Sequence, residues 1–296
     1  MRKQGVPKRQ AARASTSPDR PRRADVTASY DLGVERYEQL WSPVILPAAA
    51  TTVPWLGLAD RSLVLDVGGG TGALAPVLRS AAAGVSVVAV DASAEMLRVA
   101  HRRGVAAVRA DAMALPVADR SADAAVLAYV LFHLADPLAA LREAWRVLRP
   151  GGRVATVTWA VDQAAGAQAV WDQTMADAGT PTPPVRRVDA GLDSADAIER
   201  LLVDAGFVPQ RVWPCALSRQ WDLESFWALA SGSGAARQRL AALDSGARPR
   251  LLGQLRARLA GLGPEDFYWE GEVVCAIAAK PAGVTGSPTR VRRVDP

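Results

Sequence analysis

The sequence predicts an α/β fold in which helices cover both faces of a doubly wound, largely parallel sheet. Short apolar runs alternate with segments of helical periodicity through residues 62–159, which is typical of successive strand–helix units. The first apolar run leads directly into a glycine-rich turn and a helical segment. With 296 residues and 50% hydrophobic composition, the chain can bury the core of one such domain.

The strands of the first half are apolar runs bounded by charged or turn-forming residues. We predict them at 62–67, 85–90, 105–109, 123–129 and 153–159. Helices are predicted between them at 71–79, 94–103 and 137–148. Pro137 suits the first turn of the last helix, and Pro150-Gly151-Gly152 is expected to end it.

The second half of the chain is less regular. It contains a predicted helix, a strand, a mostly helical tryptophan-containing stretch and a final strand, at 194–205, 207–215, 223–262 and 271–280. A short amphipathic segment at 30–40 precedes the first strand. We therefore expect a domain at 26–280, with a helical insertion at about 219–268, between flexible basic tails at 1–25 and 281–296.

The net charge of +5 is concentrated in the tails. Residues 1–23 contain eight Lys or Arg and one Asp, whereas the region between the tails is acidic. A nucleic-acid site needs basic charge on the folded surface, so nucleic acid is an unfavoured partner. No apolar run approaches the ~20 residues of a membrane span, and no signal peptide is recognisable. Cys215 and Cys275 lack metal-binding or redox spacing, which favours reduced thiols and a cytoplasmic protein.

The turn Gly68-Gly69-Gly70-Thr71-Gly72 carries the strongest functional signal. Glycines let backbone N–H groups and a helix N-terminus approach a ligand closely. Gly68-x-Gly70-x-x-Ala73 fits the loose dinucleotide fingerprint, and Asp91 lies near the ~20-residue distance of a ribose-binding acid. From the turn alone, a dinucleotide and S-adenosylmethionine both remain open.

Further motifs favour S-adenosylmethionine. Asp66-x-Gly68-x-Gly70-x-Gly72, the Asp91 segment, 109–116, 123–133, 141–148 and 149–153 together resemble class I S-adenosylmethionine-dependent methyltransferases of the ubiquinone/menaquinone type. The resemblance covers about residues 30–160. It implies a Rossmann-like, seven-stranded, mostly parallel sheet whose last strand is antiparallel, and S-adenosylmethionine as the cofactor. A dehydrogenase leaves Asp111 and the Pro150-Gly151-Gly152 turn unexplained.

The resemblance also implies roles for individual residues. The backbone groups of Gly68 and Gly70 would approach the amino-acid end and the ribose of the cofactor. Asp66 would orient that loop or meet the ammonium group through water, and Asp91 would accept the ribose hydroxyls. Met96 would pack on the adenine, whose edge would meet Asp111 and the N–H of Ala112. Structural alternatives stay open, since Asp66 could complement a helix dipole, Met96 could fill the core and Asp111 could be an ordinary loop acid.

His133 is the candidate catalytic residue. It follows the fourth predicted strand, on the side where a methyl acceptor would enter, and histidine suits a general base near neutral pH. A structural role at the strand end is the alternative. No metal site is expected, because zinc-ligand spacing is absent.

Aromatic residues indicate where an acceptor would bind. Tyr30, Tyr37 and Trp41 would form either a lid over the cofactor or a packed helix. A dense aromatic set in the second half favours an aromatic or apolar acceptor, with core filling as the alternative. Its members are Trp159, Trp171, Trp213, Trp221, Phe226, Trp227 and the trio Phe267-Tyr268-Trp269.

Taken together, these patterns predict a methyltransferase acting on an oxygen or carbon of a small molecule. A non-catalytic cofactor-binding module and an RNA methyltransferase using the basic tails are the alternatives. The fourth strand lacks the Asn/Asp-Pro-Pro-aromatic motif of amino-group nucleic-acid methylases. Pro214-Cys215 comes too late in the chain for a cytosine-C5 enzyme.

Overall fold

The computed structural model describes residues 23–163, 166–181 and 191–282. Within these ranges seven strands form one sheet, in the order β3-β2-β1-β4-β5-β7-β6. The strands are β1 (Leu63–Val67), β2 (Ser86–Asp91), β3 (Ala106–Arg109), β4 (Ala122–Ala128), β5 (Leu148–Gln163), β6 (Val208–Gln220) and β7 (Tyr268–Ala279).

The winding of the chain reverses between β1 and β4. From β1 it moves outward through β2 to β3, and then returns to place β4 on the other side of β1, with every pair parallel. β5 continues the parallel pairing, whereas β7 is antiparallel to both β5 and β6. The predicted doubly wound, seven-stranded sheet with an antiparallel last strand is confirmed. In such a sheet, ligands bind at the carboxyl ends of the strands beside the reversal.

Helices flank this sheet. They are α1 (Arg23–Arg36), α2 (Ser42–Ala50), α3 (Ala75–Arg79), α4 (Ala94–Arg102), α5 (Pro137–Val147), α6 (Gly166–Asp177), α7 (Ala195–Asp204), α8 (Leu223–Gly232), α9 (Gly234–Ala241) and α10 (Ala247–Ala260). A π-helical turn at Tyr37–Trp41 joins α1 to α2, and a 3-10 turn at Leu131–His133 follows β4.

Side-chain caps determine where two helices of the site begin. The Asp136 carboxylate accepts a hydrogen bond from the Ala139 N–H at 3.0 Å, and Pro137 occupies the first position of α5, as predicted. The Ser93 hydroxyl oxygen accepts from the Met96 N–H at 3.1 Å and begins α4. The cap therefore places Met96 in the first turn after β2.

Several predicted boundaries were wrong, and the strand expected at 207–215 extends to Gln220 as β6. The first helix after the glycine turn was expected at 71–79, but α3 begins only at Ala75. Gly70 and Gly72 have φ angles of +54° and +69°, which a right-handed helix does not allow. The fifth strand was expected at 153–159, but β5 pairs with β4 from Leu148 onward, so Pro150-Gly151-Gly152 is part of the strand.

The N-terminal region is more helical than predicted. Helix α1 begins at Arg23, so the predicted tail boundary at residue 25 falls inside the helix. The remaining parts of the predicted tails, 1–22 and 283–296, lie outside the described residues. Helix α2 was missed because Pro47 lies inside it, where proline disfavours a helix by propensity. Its buried Val44 and Ile45 show that packing against the core overrides that preference.

Helices α8, α9 and α10 lie between β6 and β7 in the chain, where an insertion was expected. Helix α1 packs directly on α9 through a pair of glycines. A Cβ atom on Gly33 would lie 2.6 Å from the Gly234 backbone nitrogen, and one on Gly234 would lie 1.5 Å from the Ser29 carbonyl oxygen. The backbones of α1 and α9 therefore touch without an intervening side chain. None of the described helices has the length and apolar composition needed to cross a membrane.

Candidate active site

Two adjoining cavities lie at the carboxyl ends of the central strands. The smaller, of about 110 Å³, lies beside the glycine turn that follows β1. The larger, of about 380 Å³, is enclosed by residues of α1, α6, α8 and α9. Both cavities are lined by Tyr30, Tyr37, Tyr129 and His133. We call these four residues the partition.

The glycines of the turn serve different purposes. Gly68 has φ +72°, and a Cβ atom there would lie 2.6 Å from the Val130 side chain, so its absence allows β1 to end close to β4. Gly70 has φ +54°. The atom nearest to a Cβ atom added at Gly70 would be the Met96 sulfur, at 4.0 Å. The backbone at Gly70 is therefore open to the smaller cavity, and a side chain would fill that space.

Asp91 ends β2 and holds the glycine turn in place. One of its carboxylate oxygens accepts a hydrogen bond from the Gly70 N–H at 3.0 Å, and the other accepts from the Ser93 N–H at 2.8 Å. Burial raises the pKa of Asp91 despite these hydrogen bonds. Each oxygen can accept a further hydrogen bond, so the carboxylate can also bind hydroxyl groups in the smaller cavity.

Asp66 lies behind the glycine turn and does not line the cavity. It is buried in β1, and a Cβ atom on Gly69 would lie 2.9 Å from its carboxylate oxygen Oδ2. Burial, followed by the nearby charge of Asp91, raises the pKa of Asp66 to about 7. The two carboxyl groups favour a ligand that brings positive charge to this end of the cavity.

The other predicted cofactor residues line the smaller cavity. Met96 is buried in the first turn of α4. Asp111 and Ala112 follow β3, where Asp111 Oδ1 accepts from the Met113 N–H at 2.9 Å and forms a tight turn. Of the seven predicted cofactor residues, the structure thus brings six to one cavity and places Asp66 directly behind it.

Helix α1 is attached to the same site. Asp31 accepts hydrogen bonds from the Ser93 hydroxyl at 2.5 Å and from the Glu95 N–H at 3.2 Å, so it completes the cap of α4. Glu38 of the π-helical turn forms an ion pair with Arg103 at the end of α4. These contacts keep the aromatic residues of the N-terminal segment over the cavity.

Tyr129 is a site residue that the sequence did not reveal. It follows β4 with a φ of +58°, a conformation that costs an ordinary residue energy and is concentrated at functional sites. Its hydroxyl donates to the Ile45 carbonyl at 2.9 Å, and its N–H donates to Val157 at 2.8 Å. Burial raises the pKa of Tyr129, so the phenol stays neutral. The strained backbone holds this ring in the partition.

His133 and Tyr30 meet in the partition. The Tyr30 hydroxyl lies 2.9 Å from Nε2 of His133, and the two rings are in edge contact with centroids 5.4 Å apart. Tyr30 also contacts Tyr37, with ring centroids at 5.8 Å. The predicted base is therefore in direct contact with the N-terminal segment.

Tryptophan residues form much of the wall of the larger cavity. Trp41 stacks on Trp159 with centroids 6.1 Å apart and meets the edge of Trp269 at 5.1 Å. Trp171, Trp221 and Phe226 also line this cavity. The structure thus brings five residues of the predicted aromatic set to one cavity.

Four residues of the predicted aromatic set lie away from the cavity. Trp213 faces Arg211 on the edge strand β6, at 5.3 Å from guanidinium carbon to ring centroid. Trp227 packs behind Trp171, and Phe267 packs behind Phe226. Tyr268 is 45% exposed. These four residues are aromatic, as an acceptor site requires, but their positions along their strands and helices place their side chains away from the cavity.

Arg239 is a second site residue that the sequence did not reveal. This residue of α9 is 5% exposed and lines the larger cavity. Its Nη1 atom lies 3.4 Å from the Asp172 carboxylate. In an alanine- and arginine-rich helix, the sequence pattern does not show which arginine is buried.

The fold is shared with several solved structures at low sequence identity. A structure titled the [4+2]-cyclase SpnF is 21% identical with a TM-score of 0.58, covering 89% of this chain and 98% of its own. The YcgJ protein from Bacillus subtilis is 19% identical with a TM-score of 0.54, covering 80% and 99%. A Haemonchus contortus phosphoethanolamine N-methyltransferase containing S-adenosylhomocysteine is 19% identical with a TM-score of 0.51, covering 88% and 59%.

The sequence comparisons match part of the chain. A family profile described as a methyltransferase domain matches residues 65–156. The demethylmenaquinone methyltransferase of Corynebacterium urealyticum is 43% identical over 100 residues, which are 34% of this chain and 43% of that protein. An uncharacterized methyltransferase of Mycobacterium bovis is 39% identical over 137 residues, 46% of this chain and 54% of that protein. The chain thus spans about half the length of the curated relatives it matches.

The residues that match the methyltransferase-domain profile run from β1 to β5 and include the glycine turn that lines the smaller cavity. The chain is also similar, over about 100 residues, to demethylmenaquinone methyltransferases, the type of relative that the sequence motifs predicted.

Proposed function

We propose that this chain transfers a methyl group from S-adenosylmethionine to an oxygen or carbon of a small aromatic or apolar molecule. The observation that carries the proposal is the position of the partition. It separates an acidic, glycine-lined cavity from a larger cavity walled by tryptophan. A methyl donor and an apolar acceptor would meet there.

The residues of the smaller cavity fit this cofactor. The space beside Gly70 admits the amino-acid end of the molecule, and the acidic pair Asp66 and Asp91 suits its positive charge. Asp91 would accept the ribose hydroxyls, while Met96 and the Asp111-Ala112 turn would hold the adenine. When bound, the sulfonium supplies a methyl group activated for in-line displacement.

His133 would act as the base. Its ring lines both cavities, so it can accept a proton from an acceptor hydroxyl or acidic C–H group as the new bond to the methyl carbon forms. The Tyr30 hydroxyl, 2.9 Å from Nε2, would set the orientation of the imidazole. Closely placed reactants supply much of the acceleration of such a displacement.

The wall of the larger cavity supports a small-molecule acceptor rather than nucleic acid. Trp159, Trp171 and Trp269 are nearly fully buried and surround the space from three elements. A cavity with so many aromatic side chains suits a compact ring system, whereas a polynucleotide needs an open basic groove. We also propose a cytoplasmic location, which the free thiols of Cys215 and Cys275 support.

A labelled methyl donor tests the proposal. The full chain is incubated with trideuteromethyl S-adenosylmethionine and a set of phenols, naphthols and hydroxyquinones, and the products are analysed by mass spectrometry. We expect a methylated product about 17 mass units heavier than its acceptor, because a trideuteromethyl group replaces one hydrogen. Its yield at a limiting concentration of the donor should fall with Asp91→Asn, which weakens the hydrogen bonds to the cofactor. If S-adenosylmethionine binds but no acceptor is methylated, a non-catalytic module or a cyclase such as the SpnF neighbour becomes the better account.

A further inference from the structure

Arg239 is buried in the acceptor side of the site. It lines the larger cavity but not the smaller one, and it does not belong to the partition. Its side chain is 6% exposed, in a cavity that many aromatic side chains line. A guanidinium is always charged, so it needs hydrogen-bond partners where water is excluded.

Other residues of the protein accept hydrogen bonds from only some of the N–H groups of the Arg239 guanidinium. Nη1 of Arg239 lies 3.4 Å from Asp172 Oδ1, at the long end of the hydrogen-bond range. The Asp172 side chain is 51% exposed, and its other oxygen accepts from Gln168 at 2.9 Å. Nε of Arg239 is buried and has no hydrogen-bond partner in the described part of the chain. At least one charged donor in the acceptor cavity is therefore unused.

We propose that Arg239 binds a carboxylate on an aromatic acceptor. A guanidinium and a carboxylate match in shape and form two parallel hydrogen bonds, which a neutral carbonyl or a hydroxyl cannot. The tryptophan walls would hold the ring that carries this carboxylate. The inference rests on the proposed function, and it adds the chemical class of the acceptor, an aromatic carboxylic acid.

The position of Arg239 also separates recognition from reaction. The partition contains the candidate base, whereas Arg239 lies outside it. The carboxylate would thus orient the acceptor, and a different oxygen or carbon of the same molecule would face the partition and receive the methyl group.

Calorimetry with 1-naphthoate and 1-naphthamide tests this inference, because the two probes share a ring and differ in charge. Both are titrated into the full chain with and without saturating S-adenosylhomocysteine. We expect naphthoate to bind at least ~10-fold more tightly than naphthamide, the scale of a hydrogen bond to a charged group. Arg239→Met should erase this preference, and Arg239→Lys should restore only part of it because it lacks the planar fork.

Two control variants separate recognition from a structural role of Arg239. Arg237→Met removes an exposed arginine from the same helix and should keep the preference for naphthoate. Asp172→Asn removes the competing carboxylate and should maintain or strengthen naphthoate binding. If Arg239 served only to join α9 to α6, Asp172→Asn and Arg239→Met would weaken both probes together.

The outcomes distinguish this inference from the proposed function. Equal affinity for the two probes, no binding of naphthoate, or a preference that survives Arg239→Met would overturn the role of Arg239. Failure of S-adenosylhomocysteine to bind would instead contradict the proposed function, and the titrations without it would still decide the carboxylate inference.

Discussion

The Tyr30 hydroxyl lies 2.9 Å from Nε2 of His133, although the two residues are 103 positions apart in the chain. Tyr30 belongs to α1, and His133 follows β4. Asp31, the next residue in α1, caps α4 through Ser93. One turn of α1 therefore contacts both the candidate base and the helix that carries Met96.

The first prediction concerns this pair. His133→Ala should lower kcat by ~100-fold or more, the usual contribution of a general base, while the affinity for S-adenosylhomocysteine changes by less than ~3-fold. Tyr30→Phe should lower kcat more moderately with little change in the KM for S-adenosylmethionine. Steady-state kinetics with a methylated acceptor provides the measurement.

Tyr268→Phe is the matched control for Tyr30→Phe, because Tyr268 is exposed and away from both cavities. It should behave as the unmodified protein. Unchanged kcat in His133→Ala would show that proximity alone accelerates the reaction, and the histidine would then have only a structural role.

The second prediction concerns Asp91. Asp91→Asn removes the negative charge and replaces one acceptor oxygen by an NH2 group, while it keeps the size of the side chain. S-adenosylhomocysteine should therefore bind at least ~10-fold more weakly. Asp204→Asn, at the exposed end of α7, is the control and should bind normally. Calorimetric titration measures both; equal affinities would remove Asp91 from the ribose site.

The third prediction follows from the burial of Asp66, whose pKa is raised to about 7. In the unfolded chain its pKa is near ~4, so folding takes up a proton between about pH 4 and pH 7. In that window, ionisation of Asp66 opposes folding, and its contribution to the free energy of unfolding falls as pH rises.

Asp66→Asn cannot ionise, so its stability relative to the unmodified protein should increase as pH rises from about 4 to about 7 and then stay constant. Urea denaturation at several pH values measures the free energy of unfolding of both proteins. In the difference between the two values, the effects of the carboxyl groups that both proteins contain cancel. A difference that does not vary with pH would mean that Asp66 is ionised throughout.

The fourth prediction concerns the contact between α1 and α9. Gly234→Ala would place a methyl group 1.5 Å from the Ser29 carbonyl oxygen, so α1 must move. We expect a loss of ~1–3 kcal/mol in the free energy of unfolding and faster hydrogen exchange in α1. Gly253→Ala is the control, because no atom lies within 4 Å of its added Cβ. It should be neutral or slightly stabilising; equal effects of the two variants would contradict the close contact.

The central sheet and much of the cofactor site could be predicted from the sequence. β1 was predicted at 62–67 and lies at Leu63–Val67, because a short apolar run before a glycine turn has few other interpretations. Parallel strands end at one edge of a sheet, so Asp91 and Asp111 had to approach Gly70 once the strand order was known.

The acceptor side could not be predicted in the same way. Tyr129 depends on a positive φ that a tyrosine does not signal, and Arg239 depends on which face of α9 meets α6. Helix α2 forms despite the proline inside it, Pro47, because its apolar residues are buried by the rest of the fold. These features arise from tertiary packing, which local sequence patterns do not encode.

A crystal structure of the chain with S-adenosylhomocysteine tests the central claim most directly. We expect the ligand to lie in the smaller cavity, with its ribose on Asp91, its adenine between Met96 and Asp111, and its sulfur directed at the partition. The larger cavity should remain open to an acceptor. A ligand bound in the larger cavity, or a ligand whose sulfur points away from Tyr30 and His133, would contradict it.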